Sequence, residues 1–151
     1  MTYYDAAYTG LPDPELDSQF YENVPTRRLV AWVFDGIITF GMSFLIGVFT
    51  IGLGFFVFPL LWLAIGLIYR TITIASTSST WGMRMVGIEF RDKSGHKLST
   101  GVALAHTLIF TIGTGFFLVQ IISMALILSS RYGQSIQDMI LGTTAINRPL
   151  N

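Results

Sequence analysis

Two long blocks of this chain carry no formal charge. Residues 36–69 and 98–130 contain no Asp, Glu, Lys or Arg, and polar positions fall in short clusters around them. The run Leu29–Phe49 (LVAWVFDGIITFGMSFLIGVF) is 21 residues long. At ~1.5 Å per residue a helix of that length reaches roughly 30 Å, the thickness of a bilayer's hydrocarbon core. Turn-forming residues Thr50–Gly54 separate it from a second apolar run, Phe55–Thr73, in which Tyr69-Arg70 pairs an aromatic and a cation suited to the lipid–water interface. Together they predict a helical hairpin with spans at about 29–49 and 55–73. Pro59 falls four residues into the second arm, near enough to its start to be tolerated or to kink it.

Residues 74–100 change character. The hydroxyl-rich Ser76–Thr80 reads as a solvated connector, and Met85–Arg91 alternates apolar and polar side chains before the turn-like Asp92-Lys-Ser-Gly95. That pattern predicts a small β-hairpin within the connection. Ser99 or Thr100 suits the N-cap of a third apolar segment, about 103–129. At 27 residues this segment is long for one crossing and short for two, and Gly113-Thr-Gly115 at its centre offers a break. After Arg131, the dozen residues SIQDMILGTTAI suit an interfacial helix or strand.

Composition narrows the class. Of 151 residues 52% are hydrophobic and 12% charged, about half the charge usual for a soluble domain. A soluble single-domain enzyme is therefore excluded, and the pattern describes an all-α membrane protein with the bilayer as its first partner. Net charge is zero, so no basic field draws the chain to nucleic acid. Cysteine is absent, which removes disulfides, thiolate metal sites and a catalytic thiol. Five of the nine acids (Asp5, Asp13, Glu15, Asp17, Glu22) precede the first basic residue, Arg27. Residues 1–26 thus read as an acidic, disordered cytoplasmic tail without the basic start of a cleaved signal.

The Lys/Arg distribution orients the chain. Two basic residues precede the first span, none lies in the 50–54 turn, five lie in the 70–102 connection and two follow residue 130. Cytoplasmic loops carry the excess of Lys and Arg, which places the N-terminus inside. A bent, re-entrant third segment keeps all nine cations on that side, whereas three simple crossings would export Arg131 and Arg148.

Three motifs occur in order. Arg27-Arg28-Leu-Val-Ala-Trp-Val-Phe-Asp35-Gly opens the first span, Thr80-Trp-Gly-Met-Arg84-Met-Val-Gly lies in the connection, and Arg131-Tyr-Gly-Gln-Ser-Ile-Gln-Asp138-Met-Ile-Leu-Gly-Thr closes the chain. In this order and hydropathy they resemble the RDD family of bacterial inner-membrane proteins, over a domain of residues 27–148. The resemblance maps the family's namesake residues onto Arg28, Asp35 and Asp138. Gln137 stands where many members have His, and Met83 where Lys is common. The family's activity is largely undefined, with ion transport suggested for some members, so the resemblance implies a fold and a site sooner than a reaction.

Asp35 is the one acid set well inside an apolar span. A carboxylate there costs on the order of 3 kcal/mol on insertion scales, so it must be paired, protonated or water-lined. Arg28 lies two helical turns before it on the same face, and Asp138, Arg84 or His106 brought in by folding would complete a cluster. Such a cluster is either a clamp between helix ends or a cation or proton site. Two function classes follow: cation/proton transport by a homo-oligomer, since two or three crossings are too few to enclose a path, or an accessory subunit of a membrane-protein complex. No nucleophile, acid–base pair or metal-ligand spacing supports an enzyme, and no cofactor or metal is expected.

Overall fold

The computed structural model describes residues 10–149. Eight elements follow one another: α1 (Val24–Phe49), α2 (Phe58–Thr77), α3 (Trp81–Met85), β1 (Ile88–Asp92), α4 (Thr100–Thr114), α5 (Phe117–Ser129), α6 (Ile136–Leu141) and β2 (Thr143–Asn147). Two of them, α1 and α2, are long and apolar enough to cross a membrane. They form the expected hairpin with shifted bounds. A short 3-10 turn, Leu53–Val57, precedes α2, and Pro59 sits in its first two positions, where the missing N–H has no intrahelical acceptor to lose. The α2 helix also runs two turns past Arg70, so that this cation lies along the helix rather than at its end.

The polarity of these helices is inverted. On α1 the buried residues Ala31, Asp35, Thr39, Ser43 and Gly47 recur every fourth position, while Trp32, Val33, Ile37, Phe44 and Leu45 are exposed. The inward hydroxyls are satisfied within the helix: Ser43 donates to the Thr39 carbonyl and Thr39 to that of Asp35, at 2.7 and 2.8 Å. Small polar residues let helices approach closely where lipid-like surroundings supply no hydrophobic drive. Aromatic edges complete the hairpin contact, with Phe40 against Trp62 and Phe44 against Phe55, ring centroids 5.6 and 5.5 Å apart. Of the aromatic cluster at the start of α2, Phe56 alone is almost wholly exposed.

The third apolar segment is broken where the glycines predict. The α4 helix ends at Thr114, Gly115-Phe116 turns the chain, and α5 runs back. A β-carbon at Gly113 would lie 3.3 Å from Val119 Cγ1, so the two arms pack closely at the bend. Ser123 Oγ on α5 accepts from the Ile136 N–H at the start of α6, and α6 itself meets α4 near its first turns. The N-terminal ends of α1 and α4 and the C-terminal ends of α2 and α5 therefore converge at one end of the molecule.

A small polar cap covers that end. Its sheet is not the local hairpin expected from 85–100: β1 pairs antiparallel with β2, Phe90 opposite Ala145, fifty-five positions on. The Asp92–Gly95 turn does form, closed by the Asp92 N–H on the His96 carbonyl. The chain beyond it then enters α4 at the Ser99 cap within four residues, too few for a return strand, while Thr143–Asn147 offers β-branched residues at full length. Burial corrects a second expectation. Ser78, Ser79 and Thr80 are enclosed rather than solvated: Ser78 Oγ accepts the Leu98 N–H, and its carbonyl accepts that of Phe90. Buried Glu89 pairs with Arg91 and with Arg148 at 3.5 Å. Nor is the described part of the acidic leader free chain. Tyr21 donates to the Pro12 carbonyl and packs on Tyr132, Asn147 bonds the carbonyls of Gln19 and Glu22, and Arg131 approaches Asp13 and Glu15. Acidic side chains alone specify no position; cations and amides from the distant C-terminal region supply it. Asp5 lies outside the described residues.

Ile88 is fully buried among Val24, Ile74, Met83, Phe90 and Ala145, where the cap meets the helices. Ile88→Ala is expected to cost about 2–5 kcal/mol through the cavity it leaves. Hydrogen exchange in mild detergent should then accelerate at the β1 and β2 amides well before those of α1 and α2.

Candidate functional site

Asp138 is positioned by a six-residue helix with a reciprocal cap. Ser135 precedes α6 and accepts from the Asp138 N–H, while the Asp138 carboxylate accepts from the Ser135 N–H. Gly142, left-handed at φ +66°, then ends the helix and turns the chain directly into β2. The carboxylate thus faces the first residue of the strand. Its Oδ1 accepts from Thr143 Oγ1 at 2.9 Å and meets His106 Nε2 at 2.7 Å. Its Oδ2 accepts from Arg28 Nη1 at 2.7 Å, from Ser135 Oγ at 2.8 Å and from the Ser135 N–H at 3.0 Å. Five donor groups converge on one fully buried side chain, and they come from α1, α4, the α6 cap and β2.

Electrostatics follow from that set. Burial alone would raise the Asp138 carboxyl; the Arg28 guanidinium, His106 and the Ser135 N–H outweigh it and hold the group well below the usual carboxylate range. A depressed acid contributes stability above its unfolded value and loses it as pH falls.

Asp35 has a separate set of partners. Its Oδ1 accepts from the Tyr69 hydroxyl at 2.6 Å and from the Gly82 N–H at 2.9 Å, and its Oδ2 accepts from Thr80 Oγ1 at 2.6 Å. Arg70 Nη1 stands 3.7 Å from Oδ2, an ion pair beyond hydrogen-bonding range. Thr80 also caps α3, accepting the Met83 N–H, so the connector and the carboxylate fix each other. Gly82 is required by closeness: a β-carbon there would lie 2.3 Å from the Ala31 carbonyl oxygen and 2.8 Å from Asp35 Oδ1.

The sequence led to one cluster of Arg28, Asp35 and Asp138; the structure divides these two aspartates between separate Arg–Asp pairs. Arg28 serves Asp138, and the partner of Asp35 is Arg70. The reason is axial. Seven residues of helix separate Arg28 from Asp35 by about 10 Å, which leaves the arginine at the level of the cap and the aspartate at the level of the α2 interior. His106 joins as a direct partner of Asp138, with its Nδ1 buried and unpartnered. Arg84 does not join; it is exposed and donates to Thr77 Oγ1 at 2.7 Å. Arg70, Tyr69, Thr80, Gly82, Ser135 and Thr143 are partners of the two aspartates that the sequence does not single out. Arg70 carried a signal, because it is the single charge in an otherwise uncharged helix of twenty residues. Among the described residues no group of three or more His, Asp and Glu could hold a metal ion.

The model of the RDD family matches residues 24–142, which contain Arg28, Asp35 and Asp138. The chain belongs to the RDD family. No curated protein and no solved structure matches it. Asp35 and Asp138 are thus both internally paired, and membership together with two long apolar helices suggests a membrane protein.

Removing one partner of a buried pair leaves the other charge uncompensated, at about 3–5 kcal/mol. Asp138→Asn should lose that much in detergent unfolding, and its melting temperature should no longer fall as pH drops below about 4, where the wild type's does. The wild type should show no transition from this group between pH 5 and 8. Gly82→Ala should unseat α3 and expose Asp35, read as faster proteolysis of the 78–86 connection.

Proposed function

We propose that this RDD protein is a multi-pass protein of the bacterial inner membrane. In this reading α1 and α2 cross the bilayer, the α4–α5 hairpin enters and leaves on one side, and the cap lies in the cytoplasm with the N-terminus. Two features support it: the apolar outward faces of the helices, and the distribution of cations. Eight of the nine Lys and Arg, all but Arg70, belong to the cap end, as the positive-inside rule requires of a cytoplasmic face.

Within that setting the two Arg–Asp pairs are clamps that seat the cap on the helices, and the protein serves as an accessory or assembly component of a larger membrane complex. It catalyses no reaction in this reading. The observation that carries it is the saturation of Asp138. Five donor groups occupy its two oxygens, and a passing cation would have to strip them from a fully buried carboxylate. The lipid-facing surfaces of α1, α2 and α5 remain available to a protein neighbour.

One observation favours cation or proton movement by an oligomer instead. Asp35 borders an open cleft, and its arginine is not hydrogen-bonded to it. Ion flux in proteoliposomes, compared between wild type and Asp35→Asn, separates the two. Background flux in both proteins, with a stoichiometric second protein retained in a mild-detergent pull-down, is the expected result. Flux above background that Asp35→Asn abolishes would overturn the accessory reading in favour of transport.

A further inference from the structure

A cleft of about 160 Å³ lies between α1, α2 and α4, open along one side. Trp32, Trp62 and Phe110 form its walls, Asp35 and Arg70 its base. Gly36 and Gly66 also line it, and a β-carbon built on either meets nothing within 4 Å. Alanine favours a helix interior over glycine, so two mid-helix glycines facing empty space keep that space open.

Several polar groups around the cleft are spent on one another. Trp62 donates its indole N–H to Thr39, Thr39 donates to the Asp35 carbonyl, and the Asp35 oxygens take Tyr69, Gly82 and Thr80. Arg70 is different. One face of its guanidinium lies on the Phe110 ring at 4.1 Å, its nearest carboxylate oxygen is at 3.7 Å, and its Nε is buried with no partner. The cleft therefore offers donors and calls for an acceptor. Asp35 already neutralises Arg70 there, and a second anion would meet it at close range in a medium that screens poorly. The acceptor that fits is uncharged.

We propose that this cleft binds a membrane-soluble molecule whose head is a planar, neutral carbonyl acceptor, of the isoprenoid quinone type, with its carbonyl oxygen on Arg70 and its ring between the tryptophans. A dry cavity of about 150 Å³ holds a benzene-sized ring, which matches the cleft, and the tail leaves through the open side. The idea rests on the bilayer reading above only for the route of that tail.

Quinones quench tryptophan emission, and Trp32 and Trp62 lie at the site whereas Trp81 packs outside it on Tyr69. Titrating the full-length protein in mild detergent with decyl-benzoquinone should give saturable quenching. Gly66→Leu, whose β-carbon meets nothing within 4 Å, should abolish the saturable part without lowering the melting temperature. Arg70→Gln should weaken it by about tenfold, the worth of one hydrogen bond. Quenching that rises linearly and equally in wild type and Gly66→Leu would overturn the proposal. So would tighter binding of decyl phosphate in competition, which would assign the cleft to an anionic head instead. Either failure leaves membrane fractionation and ion flux, the tests of the previous reading, untouched.

Discussion

A carboxylate withdrawn from water must be given back its hydrogen bonds and an opposite charge, and this fold is organised around doing so twice. Two ionisable acids sit among helices whose outer faces are hydrocarbon. Desolvating each costs several kcal/mol, which no single side chain returns. The chain therefore gathers donors from remote segments. For Asp138 they come from positions 28, 106, 135 and 143, and for Asp35 from 69, 80 and 82, with the charge of Arg70 beside them. The tertiary contacts that define the bundle are the same contacts that solvate the acids.

Several features of the backbone follow from that demand. Arg28 begins α1 and Asp138 follows the third apolar segment, so the pair closes only if that segment returns to the end it left. The bend at Gly115-Phe116 provides the return, and the reciprocal Ser135 cap aims the acid inward. Gly82 allows α3 to approach α1 closely enough for a backbone N–H to reach Asp35. The inward Thr39, Ser43 and Thr73 bond their own helices' carbonyls and so add no unmet demand of their own.

Much of this was legible in the sequence because it rests on composition and spacing. Charge-free blocks marked α1, α2 and the broken third segment, the paired glycines marked the bend, and motif order marked the family. What escaped depends on pairing across distance. The alternation in 85–91 identified a strand but not its partner, since a period of two carries no information on where the opposite strand lies. A hydroxyl-rich run such as Ser76–Thr80 looks like a solvated connector in composition, whether its oxygens face water or a buried carboxylate. Arg70 was read as an interfacial residue because the apolar run was judged to end there; two more helical turns, ending in Thr77, move it inside and make it the answer to Asp35.

The two pairs are not equivalent, and the difference separates holding from binding. Arg28 spends its guanidinium on Asp138, Ser135 and the Gly133 carbonyl, with the Phe90 ring beneath it. That pair fastens the cap to the helices. Arg70 neutralises Asp35 without hydrogen-bonding it, while Tyr69, Thr80 and Gly82 donate to the carboxylate. Its charge is compensated while its donors are not. A cation in that state, beside space that two glycines keep open, attracts hydrogen-bond acceptors without attracting charge. The same desolvation constraint that closes one end of the molecule thereby leaves, one helical layer deeper, a donor with no internal partner.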